Sequence, residues 1–201
     1  MNPDISTVLI TDRLILRPFE EADLSCIELI FGNEEINRFL PWFPVRNEGE
    51  ALRFFEKHFA ADYRQGNPHH YLVLLRETGM PVGYVNVSGD ESHEIGWGLL
   101  PQWQHQGLAT EAAQAVARRL RTLGIPFLTA THDVSNPASG QVMKRLGMRY
   151  LYSYKEQWMP KNIPVTFRLY ILDLDGNTGR SFEKYRRMHP AFLEDLPADI
   201  S

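Results

Sequence analysis

The stretch Gln104-His105-Gln106-Gly107-Leu108-Ala109-Thr110-Glu111 separates a strand pattern that ends near Leu100 from a helical pattern over residues 110–123. A glycine-containing turn that leads directly into a helix leaves the first backbone N–H groups without partners, at the positive end of the helix dipole. Such a turn binds anions, and phosphate groups in particular. The sequence therefore predicts an anion site formed by the backbone of this loop.

The composition is that of an ordinary globular chain. It has 201 residues, of which 43% are hydrophobic and 23% charged, and a formal net charge of −4. A chain of this length forms one domain with a substantial core. The negative charge disfavours general binding to nucleic acid, so we expect no nucleic-acid partner.

Targeting and redox features predict a cytoplasmic protein. Residues 1–10 lack the cationic start and long apolar run of a signal peptide. No segment approaches the roughly 20 apolar residues of a membrane span, so we expect no membrane partner. The single cysteine, Cys26, excludes an internal disulfide and is predicted to be a buried structural thiol.

Hydrophobic periodicity predicts one α/β domain on a mixed sheet. Residues 1–172 are assigned to this domain. Residues 173–201 form a C-terminal extension that is predicted to be helical over 181–193 and that closes over the site, binds a second subunit or packs on the core. The predicted apolar stripe of the helix that begins at Asn47 or Glu48 comprises Leu52, Phe55 and Phe59, and that of the helix after the anion loop comprises Ala112, Val116, Leu120 and Leu123.

Four motifs occur in a fixed order. They are Thr11-Asp12-Arg13-Leu14-x-Leu16-Arg17-Pro18, then Glu94-Ile95-Gly96-Trp97, then 104–112, and finally Asn136-x-x-Ser139 with 144–148. In this order they resemble the GNAT superfamily of acyl-CoA-dependent N-acyltransferases, in particular its ribosomal-protein-alanine N-acetyltransferase branch (RimJ/RimL-like). The resemblance covers about residues 7–172. It implies the GNAT fold, which is an α/β fold with a mixed, mostly antiparallel central sheet flanked by helices. It also implies an enzyme that moves an acetyl group from acetyl-CoA to a primary amine by direct attack in a ternary complex, without a metal.

The resemblance also implies which residues bind acetyl-CoA. Backbone N–H groups of the anion loop surround the pyrophosphate, and the backbone at the end of the preceding strand pairs with the pantetheine arm in a gap beside that strand. Basic residues 144, 145 and 149 are further candidates for the phosphates, with a solvated helix face as the alternative. The implied cofactor-binding residues are Leu99, Leu100, Gln104, His105, Gln106, Gly107, Leu108, Ala109, Thr110, Asn136 and Ser139.

Glu94 is the candidate general base. An alkylammonium has a pKa of about 10, so a carboxylate must relay its proton, through water in this interpretation. On a strand in which Ile95 and Trp97 share one face, Glu94 and Gly96 share the other. The alternative is a glutamate that faces solvent at the start of a strand.

Ser139 is the candidate acid for the departing thiolate. Many GNAT proteins place a tyrosine seven residues after the asparagine, but here that position is Met143. In the RimJ/RimL-like branch a serine three residues after the asparagine can take this role. The alternative is that Asn136–Ser139 only starts a helix, and the two interpretations are compatible.

The acceptor is predicted to be a protein or peptide N-terminal amine. A small amine (an antibiotic, amino acid or polyamine) is the alternative, and Met143 favours a third hypothesis, a non-catalytic acyl-CoA-binding module. Trp42, Phe43 and Trp158 are candidate walls of the acceptor site. His69, His70 and His93 lack metal-ligand spacing, so no metal is expected. The sequence also allows the protein to form a homodimer.

Overall fold

The structure is a computed structural model that describes residues 8–196; the predictions for residues 1–7 and 197–201 lie outside the described residues. The strands are β1 (Leu9–Ile10), β2 (Leu14–Pro18), β3 (His70–Leu75), β4 (Pro81–Val87), β5 (Ile95–Leu99), β6 (Phe127–Asp133), β7 (Arg149–Trp158), β8 (Ile163–Asp173) and β9 (Ala191–Phe192). The helices are α1 (Leu24–Phe31), α2 (Glu34–Asn37), α3 (Glu48–Phe55), α4 (Ala61–Arg64), α5 (Leu108–Thr122), α6 (Pro137–Arg145) and α7 (Lys184–Met188).

The strands form two antiparallel sheets with helices packed against them. The first sheet has the order β1-β2-β3-β4-β5, and the second has the order β6-β8-β7-β9. Within the described residues, β5 and β6 meet at a single parallel bridge between Glu94 and Thr129. Beyond this bridge β5 and β6 do not pair with each other, which leaves a gap between the sheets. The predicted α/β architecture is thus observed, with the central sheet divided at this gap.

Local sequence explains where the helices begin. The Asn33 side chain accepts hydrogen bonds from the N–H groups of Glu35 and Ile36, so it caps α2. Asn47 caps α3 by accepting from the N–H of Glu50 at 3.0 Å. The predicted start of the helix at Asn47 or Glu48 is therefore correct.

Two of the predicted core positions are wrong. Leu52 is 38% exposed, because α3 turns Ala51, Phe54 and Phe55 inward and Phe54 packs on Phe31 with ring centroids 4.6 Å apart. Leu123 is 42% exposed and is the C-cap residue that follows the last residue of α5. In each case the local periodicity allows two overlapping stripes, and tertiary packing selects one.

The C-terminal segment, residues 174–196, packs on the second sheet. It is helical only over Lys184–Met188, because β9 follows and pairs with β7 through Ala191 and Phe192 at the edge of the second sheet. The hydroxyl of Tyr152 donates to the carbonyl of Phe182 at 2.8 Å. Of the three placements left open by the sequence, the described part of the extension adopts packing on the core.

No helix within residues 8–196 has the length and apolar character needed to cross a bilayer.

Candidate active site

A cavity of about 660 Å³ occupies the gap between the sheets. Its walls come from β5, the loop before α5, the end of β6, the first turns of α6 and the connection between α2 and α3. The cavity brings together most of the residues singled out from the sequence. These are Glu94, Leu99, Gln104, His105, Gly107, Leu108, Ala109, Thr110, Asn136 and Ser139.

The N-terminus of α5 opens into this cavity. Gly107 caps the helix at φ 77°, a left-handed conformation that favours glycine, and no side chain bonds the first helical N–H groups. His105 is also left-handed, at φ 58°. Gln104 holds the loop from its other end by donating from Nε2 to the carbonyl of Leu99 at 3.1 Å. The loop therefore presents uncapped N–H groups in a fixed turn, as an anion site requires.

Thr110 adds a hydroxyl to this anion site. Its Oγ1 is buried and has no hydrogen-bond partner among the described residues. A buried hydroxyl without a partner is costly, so it is expected to bond a ligand atom that the cavity admits. A phosphate oxygen is such an acceptor. The uncapped helix and the Thr110 hydroxyl therefore fit the pyrophosphate of CoA.

Gln106 lies outside the cavity. Its side chain donates to the carbonyl of Gln102 at 3.0 Å, and its own carbonyl accepts from Arg13 Nη1 at 2.9 Å. Its side chain therefore serves the loop, and only its backbone N–H is left for the predicted role.

An ion pair braces the same loop. Arg13 Nη2 lies 2.6 Å from Glu111 Oε2, and the hydroxyl of Thr11 donates to Glu111 Oε1 at 2.6 Å. Glu111 is in the first turn of α5, so residues of the opening motif fix the start of this helix. The sequence did not predict this role, although the motif itself was singled out.

Of the predicted basic residues, Arg145 lies at the site and Arg149 does not. Arg145 lines the main cavity and also a second cavity of about 780 Å³ beside the α5 loop. Arg149 instead bonds Asp173 and the carbonyl of Arg180. The prediction for Arg149 is therefore wrong, because its side chain points to the C-terminal segment.

The register of β5 gives the backbone groups of Leu99 and Leu100 opposite directions. The carbonyl of Glu94 accepts from the N–H of Ser88, and the N–H of Leu100 donates to the carbonyl of Val82, each at 2.9 Å. Backbone groups alternate along an antiparallel strand, so even-numbered residues bond β4 and odd-numbered residues face the gap. Leu99 thus faces the gap.

Leu100 is not available for the predicted pairing with pantetheine. Besides the bond from its N–H to Val82, its carbonyl accepts from the N–H of Trp103 at 2.9 Å. The residue is 2% exposed and does not line the cavity. The prediction for Leu100 is therefore wrong. Backbone groups of successive residues point to opposite edges of a strand, so Leu100 bonds β4 where Leu99 faces the gap.

Glu94 lies at the closed end of the gap with both carboxylate oxygens bonded. Thr131 on β6 donates its hydroxyl to Oε1 at 2.5 Å, and the hydroxyl of Tyr185 on α7 donates to Oε2. Burial, together with the facing Glu94 carboxylate, raises the pKa of Tyr185 above its ordinary value, so the phenol stays protonated. The half-buried Glu94 side chain is thereby fixed at the wall of the cavity.

The start of α6 forms the facing wall. Asn136 caps this helix, and its Oδ1 accepts from the N–H of Ser139 at 3.3 Å. Met143 also lines the cavity and is 1% exposed. Thus the predicted cap is present, and the position of the usual tyrosine carries an apolar side chain that packs inward.

His132 is a cavity residue that the sequence did not indicate. It is 4% exposed, and its Nδ1 lies 2.8 Å from the carbonyl of Asp133. Its Nε2 is buried without a hydrogen-bond partner among the described residues. Burial lowers the pKa of His132, so the ring is neutral.

The other end of the cavity is aromatic. Trp42 and Trp158 line it as predicted, together with Phe39 and Phe167. The prediction for Phe43 is wrong, since its ring is 62% exposed and does not line the cavity. A lysine of the β7–β8 loop ties this end to α2: Nζ of Lys161 donates to the carbonyl of Asn37 at 2.5 Å and to its Oδ1 at 2.8 Å.

The histidines considered for a metal have other partners. His70 Nε2 lies 2.7 Å from Asp62 Oδ2, and His69 Nδ1 lies 3.2 Å from the hydroxyl of Tyr71. Across residues 8–196, no group of three or more His, Cys, Asp or Glu side chains is arranged to hold a metal ion.

A protein-family model of the GNAT acetyltransferase domain matches residues 13–149, which include β5, the α5 loop and α6. The chain belongs to the GNAT acetyltransferase family. GNAT enzymes take the acetyl group from acetyl-CoA, and the residues at the N-terminus of α5 fit that donor. This GNAT protein is therefore an acetyl-CoA-dependent N-acetyltransferase.

Individual relatives support the RimJ/RimL-like branch. The chain is 29% identical over 158 residues to the uncharacterized N-acetyltransferase YnaD of Bacillus subtilis, covering 77% of this chain and 86% of the relative. It is 28% identical over 153 residues to the [ribosomal protein uS5]-alanine N-acetyltransferase of Escherichia coli, covering 69% and 76%. A structure of RimL, ribosomal L7/L12 alpha-N-protein acetyltransferase, in complex with CoA superposes with a TM-score of 0.74 at 19% identity, covering 85% of this chain and 100% of that one, and shows the shared fold.

Proposed function

We propose that this GNAT enzyme acetylates the N-terminal amine of a protein or peptide by direct attack in a ternary complex. The observation that carries the proposal is one cavity with the uncapped N-terminus of α5 and the carboxylate of Glu94 in its walls. The acetyl thioester supplies the electrophile. The protein then needs to hold both substrates and to move protons. The cavity is lined by N–H groups that can hold the donor and by a carboxylate that can accept a proton.

Glu94 is proposed as the base. Each carboxylate oxygen has two lone pairs, so the bonds from Thr131 and Tyr185 leave one on each oxygen for a water or the amine. A carboxylate in this position accepts the ammonium proton, and the neutral amine becomes the nucleophile. The two donors hold the carboxylate at the cavity wall, which limits the reorganisation that the proton transfer needs.

Ser139 is proposed as the acid for the departing thiolate. It lines the cavity as the third residue of α6, and its backbone N–H donates to the side chain of Asn136. The sulfur of CoA is a good leaving group, so we expect the serine to contribute modestly. Leu99 is proposed to pair with the pantetheine arm through the backbone groups that face the gap.

The acceptor class is supported by the polar atoms at the aromatic end. Trp42 lines the cavity, and its Nε1–H is buried without a partner among the described residues. A peptide offers carbonyl oxygens to such a donor, whereas an alkylamine offers none. The Escherichia coli relative acetylates a ribosomal-protein alanine, as its name states, and this supports the same class.

A small cationic amine is the second candidate. Glu35 lines the cavity in addition to Glu94, as do the aromatic rings of Phe39 and Trp158, and carboxylates and aromatic faces both attract the charged groups of an extended polyamine. This arrangement favours a polyamine over an uncharged small molecule.

Thiol release from acetyl-CoA with two sets of acceptors tests the proposal. One set contains peptides that begin with alanine or serine and the same peptides with blocked N-termini; the other contains spermidine and free amino acids. We expect turnover with free peptides and none with blocked ones. Turnover only with spermidine would replace the peptide with the small amine. Silence with every acceptor, together with saturable acetyl-CoA binding by calorimetry, would indicate a binding module.

A further inference from the structure

The C-terminal segment is tied to the core by ion pairs on both sides of α7. Arg180 bonds Asp173 at 3.0 Å and Asp175 at 2.5 Å, which fixes the chain where it leaves β8. Lys184 Nζ lies 2.6 Å from Oδ2 of Asp90, in the turn that precedes Glu94. These contacts direct the first turn of α7 toward the start of β5.

Tyr185 is the residue that this anchoring delivers. Its ring stacks on Tyr154 of β7 with centroids 4.8 Å apart and an interplanar angle of 4°, and its hydroxyl bonds Oε2 of Glu94. Tyr185 does not line the cavity. It therefore reaches Glu94 from behind, on the side away from the substrates.

A second set of contacts holds the segment beyond α7. β9 pairs with the edge of β7, and Glu194 accepts from Arg168 at 2.6 Å and also from the hydroxyl of Ser153. Tyr185 lies on the face of the second sheet that carries Tyr154, and Glu194 lies on the opposite face, which carries Ser153 and Arg168. Residues 174–196 thus pass around β7 from one face of this sheet to the other. A helix of only five residues gains a fixed position from anchors at both ends.

We infer that the C-terminal segment is part of the active site, with Tyr185 as a positioning residue that holds the Glu94 carboxylate for proton transfer. The inference rests on the proposed role of Glu94 as base. It extends the acetyltransferase site beyond the matched region 13–149 to a residue 91 positions from its partner in the sequence.

The expected consequence is a change in pH dependence. A hydrogen bond donated to a carboxylate stabilises the charged form, so its loss favours protonation. If the ionised form is the base, activity in the variant must then fall at a higher pH. The charged and titratable groups around this contact are Tyr185 and Lys184 of α7, Tyr154 and Glu156 of β7, and Asp90 of the β4–β5 turn.

The test compares Tyr185→Phe with the wild-type enzyme. The variant keeps the ring stack on Tyr154 and removes the hydroxyl. We expect the acid limb of the kcat/KM profile to move upward by roughly one pH unit, as loss of a charge-assisted hydrogen bond predicts, with the KM for acetyl-CoA unchanged. The ¹³C carboxyl signal of Glu94, assigned by its loss in Glu94→Gln, should also change position in the variant, because the carboxylate loses a hydrogen-bond donor, and this readout needs no acceptor.

Tyr152→Phe is the matched control. It removes a tyrosine hydroxyl that anchors the same segment at Phe182 without touching Glu94, so its profile should match that of wild type. Equal shifts in both variants, or superimposable pH profiles and carboxyl signals for Tyr185→Phe and wild type, would overturn the inference. Failure of the proposed base is seen separately, as an unchanged rate in Glu94→Gln.

Discussion

Arg13 and Glu111 form an ion pair of 2.6 Å that joins the turn before β2 to the first turn of α5. The Arg13 backbone N–H also donates to Glu111, at 3.0 Å. Hydrogen bonds from Thr11 and Arg13 outweigh the opposing effect of burial and lower the pKa of Glu111. The loop proposed to bind pyrophosphate is therefore held by residues that lie far from it in the sequence.

Glu111→Gln tests this brace. The variant weakens a partly buried, charge-assisted network, and we expect a loss of about 1–2 kcal/mol in the free energy of unfolding. We also expect several-fold weaker acetyl-CoA binding, because the first turn of α5 loses its support. Calorimetry and thermal melting measure both. Glu34→Gln, which breaks the exposed pair with Arg46, is the control and should change neither quantity by more than a small amount. Equal effects in the two variants would contradict the brace.

Thr110→Val tests the unpaired hydroxyl. Valine has nearly the same shape, and replacing a buried hydroxyl that has no protein partner costs little stability. The hydroxyl is expected to bond a phosphate oxygen, so acetyl-CoA should bind about 5- to 20-fold more weakly in calorimetry. Thr122→Val, at the other end of α5, should bind as wild type does. The same affinity in all three proteins would remove Thr110 from the cofactor site.

Glu94→Gln tests the base. We expect kcat to fall about 10²- to 10³-fold, since general-base assistance contributes in this range, with little change in the KM for acetyl-CoA. Steady-state thiol release with the best acceptor is the measurement. Glu91→Gln makes the same chemical change at an exposed position three residues earlier and should leave the rate unchanged. A Glu94→Gln rate close to that of wild type would exclude the residue from proton transfer.

Ser139→Ala tests the acid. A modest fall in kcat, about two- to tenfold, is expected because the thiolate leaves readily without strong assistance. Ser135→Ala, on the loop that precedes α6, controls for loosening of this segment. Wild-type turnover in Ser139→Ala would leave water as the proton donor, and an equal loss in the Ser135 variant would point to a structural cause.

His58→Phe tests whether His58, which packs against the cavity-lining Trp42, makes the folded state less stable at acid pH. His58 packs on Phe54 and Trp42, and burial lowers its pKa to about 4. Between the unfolded value near 6.5 and this folded value, the unfolded chain binds the proton and the folded chain does not, so stability is lost as pH falls. The variant should lose about 1 kcal/mol less stability than wild type between pH 7 and pH 5, after allowance for solvent screening. Melting at both pH values measures this, and parallel losses would rule out His58.

Much of the fold was predictable because its signals are local. Asparagine caps, left-handed glycines and alternating apolar residues act within a few positions of one another, so the elements and the α5 anion loop follow from the sequence. The face shared by Glu94 and Gly96 follows from strand alternation in the same way. Helix rotation was less predictable. Leu52 and Leu123 fit the periodicity as well as the buried residues do, and only packing against other elements decides between such stripes.

The sequence by itself therefore determined the family, the anion loop before α5 and the candidate base and acid, since each depends on the order and spacing of neighbouring residues. Only the tertiary structure decided that Leu100 turns its backbone away from the gap, that Arg13 braces Glu111 and that Thr131 and Tyr185 meet at Glu94. Those contacts depend on sheet register and on the path of the chain over tens of residues. A strand shifted by one residue would redirect every backbone group along it, and local periodicity carries no record of which partner strand lies at which edge.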